Sequence, residues 1–217
     1  ILGDHDGIGV ANLSPENQQK FAEMLAWAVE EYDLDGIDFD DEWSEYGKDQ
    51  TFPTYIDGSF SGLVIKLREE LDSRFPNDHK LITAYHYNDA VNLSPSAVAC
   101  MDYGWTVGFG AALYTSPSTP WTKPKWSAQA IDLNQSYSAA MLELIKARSQ
   151  MSRNDGMGAI MTYDLRIHTE RDPLSVLQKI GEGAFSGSVS RASTPENGYT
   201  KDWTATTGTA INYDDIN

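Results

Sequence analysis

From Leu34 to Trp43 the chain reads Leu-Asp-Gly-Ile-Asp-Phe-Asp-Asp-Glu-Trp, with apolar and acidic residues alternating at a period of two. Two is the side-chain period of a β-strand, so Ile37 and Phe39 share one face and Asp38, Asp40 and Glu42 share the other. Neighbours on one face stand roughly 6–7 Å apart at a rise of about 3.3 Å per residue. Two unit charges at that spacing repel by roughly 2–3 kcal/mol at an effective dielectric of about 20. A structural strand gains nothing from such a row, because like charges on one face destabilise a sheet. A catalytic strand does gain, because the repulsion keeps a proton on one acid near neutral pH. A calcium loop starting at Asp38 is a poor alternative, since its sixth position calls for Gly and holds Trp43.

Composition limits what surrounds this strand. The 217 residues carry 16 Lys and Arg against 32 Asp and Glu, a formal charge of −16. Nucleic acid and anionic membrane surfaces are therefore poor partners, whereas a neutral ligand is compatible. Hydrophobic residues at 41% are enough for a globular core. The single cysteine, Cys100, excludes an internal disulfide and a Cys-based zinc site, and no apolar run reaches membrane-spanning length.

Periodicity and punctuation predict helices over 14–32, 59–75 and 135–153, a short helix over 94–100 and a closing helix over 173–182. Ser14-Pro15-Glu16 gives the first an N-cap with Pro at its first position. Strands are predicted over 34–42, 80–87, 101–107, 127–133 and 156–165, with a long irregular loop over 111–125. Ile1-Leu2-Gly3 reads as the end of a further strand entering a Gly-rich loop. Alternating strands and helices at this spacing indicate parallel βα units. About six are visible, where a (β/α)8 barrel needs eight. A flavodoxin-like doubly wound sheet is the structural alternative, though it gives no reason for three carboxylates on one face.

Asp35-Gly36-Ile37-Asp38-Phe39-Asp40-Asp41-Glu42 resembles the D-G-x-D-x-D-x-E signature of glycoside hydrolase family 18, which contains chitinases and endo-β-N-acetylglucosaminidases. The variant Asp38-Phe39-Asp40-Asp41-Glu42, followed by Glu45-Tyr46-Gly47, looks like the endo-β-N-acetylglucosaminidase branch. The resemblance implies an α/β fold, a (β/α)8 TIM barrel with the signature on its fourth strand. This chain would then lack the first two strands and most of the third. Residues 1–183 would form a partial barrel domain, alone unable to close, and 184–217 a polar linker or tail.

By the same resemblance Glu42 is the acid–base, Asp40 orients the substrate's 2-acetamido group, and Asp38 shares a proton with Asp40. The implied reaction is retaining, substrate-assisted hydrolysis of the β-1,4 bond in the chitobiose core of N-glycans. Asp35 is expected to be structural. Tyr163 in Met161-Thr162-Tyr163-Asp164-Leu165 matches an aromatic at the last strand, and Asp4 and His5 match an Asn-His pair at the third strand's end. Tyr85 and His86 stand at the next strand end, and Trp121 and Trp126 are either sugar platforms or packing anchors. No metal and no cofactor are implied. The expected partner is an N-glycan or another N-acetylglucosamine oligosaccharide, bound by a monomer that is secreted, periplasmic or at the cell surface. A chitinase-like hydrolase, or a glycan-binding protein with weakened turnover, is the alternative.

One segment departs from the branch. After Asp102-Tyr103-Gly104-Trp105 the endoglycosidases continue with Asn and two Tyr before a Gly, whereas Thr106-Val107-Gly108-Phe109-Gly110 follows here. Phe109 has no hydroxyl for an acetamido group. Either the alignment slips toward Tyr114 or the pocket is altered.

Overall fold

The computed structural model describes residues 1, 3, 9–49, 51, 54–87, 92–105, 113–164 and 173–190. Five strands form one sheet in chain order: β1 (Gly36–Phe39), β2 (Leu81–Tyr85), β3 (Tyr103–Trp105), β4 (Trp126–Asp132) and β5 (Ala159–Tyr163). Every neighbouring pair is parallel. A doubly wound sheet reverses its strand order at a switch point, so sequential order excludes it and fits a wall of a barrel. Beyond β1 the ladder continues onto the start of the chain. Asp40 N donates to Ile1 O (2.7 Å), and Gly3 N donates to Asp40 O (2.8 Å). That alternation is a parallel-strand pattern, as expected if Ile1 and Gly3 end a strand.

The crossovers are α1 (Pro15–Glu31), α2 (Ser59–Arg74), α3 (Pro95–Cys100) and α4 (Ala139–Asp155), with α5 (Leu174–Ile180) after β5. Ser14, Ser94 and Ser138 cap α1, α3 and α4, each hydroxyl accepting from the N–H three residues on. Each such cap is worth about 1 kcal/mol. The helix-facing side of the sheet is apolar, with Ile37, Phe39, Ile82 and Ala84 packed against Leu25 and Val29 of α1 and Leu63 and Leu67 of α2. Truncating a residue like Leu67, which is wholly buried, costs about 2–5 kcal/mol. A smaller cluster of Ile131, Leu133, Ile145, Val176 and Ile180 continues this layer under β4. No helix among the described residues is long and apolar enough to cross a membrane.

Below the strands, at their N-terminal ends, one ion network ties three elements together. Arg68 of α2 donates to Asp102 Oδ2 (2.9 Å) and to the carbonyls of Lys80 (2.8 Å) and Cys100 (3.1 Å). Asp102 also accepts from Ile82 N (2.8 Å) and meets His79 Nε2 (2.7 Å).

Two expectations change. The ladder with β2 runs over Gly36–Phe39, shorter than the strand expected over 34–42, and Asp40 is held through residues 1 and 3. Trp121 and Trp126 are buried packing anchors rather than exposed sugar platforms, with ring centroids 5.9 Å apart. Residues 191–217 of the expected tail lie outside the described residues.

Candidate active site

The burial of β1 alternates as its sequence does, with Ile37 and Phe39 buried toward the helices and Asp38 exposed on the other face. Phe39 fixes that orientation by meeting Phe60 of α2 edge-on at 5.1 Å between centroids. Gly36 at the head of the strand is required by close approach, because a Cβ there would run into the Leu81 main chain. Asp35 contributes its carbonyl, which accepts from Leu81 N (2.8 Å), in keeping with a structural role.

Register carries the helix-free face across the sheet. Asp38 lies beside Thr83 of β2, and Thr83 beside Tyr103 of β3. Thr83 Oγ1 donates to Asp38 Oδ1 (2.8 Å). Tyr85 follows Thr83 by two residues and therefore shares its face, beside Trp105. Burial pushes the Tyr85 hydroxyl up to about 12, with Glu42, Asp40 and Tyr87 adding to the shift. Tyr85 and Tyr87 stack with centroids 5.7 Å apart and ring planes 13° apart. The structure thus brings Tyr85 to the acidic row.

All three carboxyls are raised above their ordinary range. Asp38 is raised first by burial, with Asp40 adding to it and the Thr83 bond opposing. It keeps solvent access, but the surrounding protein displaces enough water to disfavour its charge. Asp40 is raised first by burial, with the Asp41 charge adding to it. Glu42 is raised by burial and by Asp40, against a hydrogen bond from Trp43. Asp40 Oδ1 is buried and has no hydrogen-bond partner among the described residues. A neighbouring pair of acids whose protons are held up together is suited to general acid–base work near neutral pH.

The remaining candidates separate. Ile160 packs into the helix-side cluster, so Tyr163, three residues on, lies on the face of the acids and is 47% exposed at the end of β5. His86 does not join the row. Its ring meets Trp126 and Trp121 edge-on, and burial holds its imidazole below the usual value. Asp4, His5 and Phe109 lie outside the described residues. Tyr114 is not the missing acetamido contact, because its hydroxyl donates to Asp155 Oδ2 (2.6 Å) at the far end of α4. Two residues went unnoticed in the sequence. Thr83 became visible only through cross-strand register. Trp43, 45% exposed and bonded to Glu42, follows the acid directly and could have been marked as an aromatic beside a candidate acid.

Sequential parallel strands with acids at their C-terminal ends define a barrel-type α/β protein whose site sits at the mouth of the strands. No protein-family model matches the sequence. The chain is 33% identical over 171 residues to an endo-β-N-acetylglucosaminidase of a Flavobacterium species, covering 76% of this chain and 50% of that protein. It is 37% identical over 111 residues to endo-β-N-acetylglucosaminidase F1 of Elizabethkingia meningoseptica, covering 50% of this chain and 31% of that protein. It thus spans half or less of the length of these curated relatives. Its fold matches a family 18 chitinase from the chitin utilization locus of Flavobacterium johnsoniae, with TM-score 0.55 and 17% identity over 81% of this chain and 68% of that one. The resemblance read from the acidic strand, to family 18 glycoside hydrolases and their endo-β-N-acetylglucosaminidase branch, therefore holds.

Proposed function

We propose that the chain is the catalytic part of an endo-β-N-acetylglucosaminidase that cleaves the β-1,4 bond of the chitobiose core of N-glycans, with retention and by substrate assistance. Glu42 protonates the leaving glycosidic oxygen and then takes a proton from the attacking water. Its raised proton affinity, from burial and the neighbouring Asp40 charge, suits that role. Asp40 accepts the acetamido N–H, orients the group and balances the positive charge that develops as the acetamido oxygen attacks the anomeric carbon. Asp38, kept in reach of a proton and steadied by Thr83, shares that proton with Asp40. Tyr85 and Tyr163 border the sugar, and the sequence resemblance alone adds Asp4 and His5 as further contacts. A secreted or cell-surface place, as for enzymes acting on glycoproteins, goes with this reading.

The observation that carries it is the buried, unpartnered Oδ1 of Asp40 between two other raised acids. An acceptor buried without a partner costs free energy that a substrate donor would recover. The acids also follow one another at the end of β1 at a spacing of two, which favours their standing on one side of a bound sugar. Asp132, at the end of β4, is turned into its own loop, where Oδ1 accepts from Asn134 N (2.8 Å). A nucleophile that travels with the substrate fits that arrangement. The test is a panel of high-mannose, hybrid and complex glycoproteins, with the anomeric configuration of the first product read by NMR. Retention is expected, and analogues with a 2-hydroxyl or free 2-amine at the cleaved residue should scarcely turn over. An inverted product, or equal rates on those analogues, would rule the mechanism out.

A further inference from the structure

Asp41 is out of phase with the catalytic row. It takes the sequence phase of Ile37 and Phe39, just past the end of β1, and is only 4% exposed. A carboxylate buried on a core face needs donors, and it has them. Tyr46 OH donates to Asp41 Oδ2 (2.8 Å), and Ser44 Oγ, itself wholly buried, donates to Asp41 Oδ1. The Tyr46 oxygen in turn accepts from Ala11 N (2.9 Å). That contact ties the 41–46 turn to the 9–13 loop, which Ser59 Oγ anchors on α2 by donating to Val10 O (2.7 Å) and accepting from Leu13 N (2.9 Å). The packing leaves no slack: a Cβ on Gly3 would strike Ser44 and Asp41, and a Cβ on Gly9 would strike Tyr46 as well. Burial holds the Tyr46 hydroxyl protonated far above the phenol range, which keeps it a donor.

We infer that Asp41 is a positioning residue, whose buried clamp with Ser44 and Tyr46 fixes the main chain on which Asp40 and Glu42 are aimed at the substrate. The ladder with β2 ends at Phe39, so the two acids lie where sheet pairing no longer holds the backbone from that side. Asp40 N and O are bound by residues 1 and 3, and Glu42 follows two residues beyond that pairing. The clamp takes over where the sheet stops. It also places a negative charge next to Asp40, which adds to the rise of the Asp40 carboxyl.

This inference rests on the endoglycosidase reading for its kinetic consequence, but its titration readout does not need turnover. The test compares Asp41→Asn and Tyr46→Phe in the protein, with melting temperature measured first. Asp41→Asn should lower kcat about 10- to 100-fold with KM within about twofold, because loss of alignment falls on the reacting geometry rather than on remote binding. Followed by carbon NMR, the Asp40 carboxyl should titrate at lower pH in Asp41→Asn, since one of the charges opposing its ionisation is gone. The other groups around it are unchanged: Asp38 and Glu42 two residues to either side and Tyr85 from β2. Tyr46→Phe should show the fall in kcat with the Asp40 titration nearly in place, because the Asp41 charge remains. If Asp41→Asn does not fold, Tyr46→Phe decides alone. Wild-type kcat in both variants would overturn the inference, as would a kcat loss that vanishes at a temperature where the variant is fully folded. A wild-type protein inactive on every N-acetylglucosamine substrate, with the Asp40 titration shifting as described, would instead sink the endoglycosidase reading and leave the clamp.

Discussion

The two ends of the sheet treat acids in opposite ways. At the N-terminal end Asp102 is held by an Arg, a main-chain N–H and a His, and the Arg is itself bound to two carbonyls. At the C-terminal end Asp38 and Asp40 meet no Lys or Arg side chain among the described residues, and one buried oxygen has no partner. Both regions lie on neighbouring strands of the same sheet, so location in the core does not separate them. Satisfaction does. A paired acid stabilises the native state and is finished when folding is finished. A crowded, unpaired acid costs stability and keeps a proton available for chemistry. In a barrel the C-terminal end of the strands is the reactive one and the N-terminal end the stabilising one, and here electrostatics makes the division visible without any ligand.

The largest effect that divides the two ends is on rate. Glu42→Gln keeps the volume of the side chain and removes its proton exchange. Turnover should fall by about 10²- to 10⁴-fold, the usual contribution of a general acid–base, while the melting temperature stays within experimental scatter and substrate still binds. Steady-state kinetics beside a thermal melt would settle it. Near-wild-type turnover would remove Glu42 from the reaction and dissolve the contrast between the ends.

The reverse pattern is expected at the other end. Asp102→Ala leaves Arg68 with carbonyl partners and Asp72 but without its buried carboxylate, and leaves Ile82 N without an acceptor. Breaking a buried pair from one side costs about 3–5 kcal/mol, and the partners that Arg68 keeps place this case at about 2–3 kcal/mol. Denaturant unfolding should show that loss, with kcat/KM within about twofold of wild type where the variant is folded. A variant of full stability and poor turnover would mean that the lower network serves the site rather than the fold.

How far these regions could be read in advance differs as well. The acidic row was legible because its information is local: three acids at a spacing of two, with Ile37 and Phe39 on the back. Two helix starts were legible for the same reason, Ser14 and Ser94 each standing before a Pro, whereas the Ser138 cap of α4 lies three residues past the start read from the sequence. The Arg68–Asp102 network was not, because its partners are 34 residues apart and meet only when α2 packs under β2 and β3. Nor was the end of β1, which depends on where β2 stops, or the separation of Tyr85 from His86, which depends on which face each takes after pairing. Tyr114 offered a hydroxyl at a plausible position in sequence, and tertiary structure spent it on Asp155. Asp41 was the missed local signal. An acid in the apolar phase of an alternating strand has to find buried donors, and Ser44 and Tyr46 stood three and five residues on.

The smallest effect sharpens the comparison from the stability side. Asp40 is raised above the ordinary carboxylate value by burial and by Asp41. A carboxyl whose folded pKa exceeds its unfolded pKa binds protons more tightly in the native state. It therefore supports folding below the unfolded value and loses that support as pH rises through the folded one. At neutral pH the wild-type protein carries Asp40 as a net cost. Asp40→Asn removes the charge while keeping an acceptor of the same shape, so the variant should melt slightly higher than wild type at neutral pH, despite poor turnover. As pH falls through the raised value the wild-type residue takes up its proton and the advantage should shrink, closing near the ordinary carboxylate pKa of about 4. Asp102, paired in the native state, should give no such gain at neutral pH when changed to Asn. Thermal melts of the three proteins across that range make the comparison directly. An Asp40→Asn variant less stable than wild type at neutral pH would mean that Asp40 is held by the fold as Asp102 is, and that the acids of the mouth are no different in kind from the acid beneath the sheet.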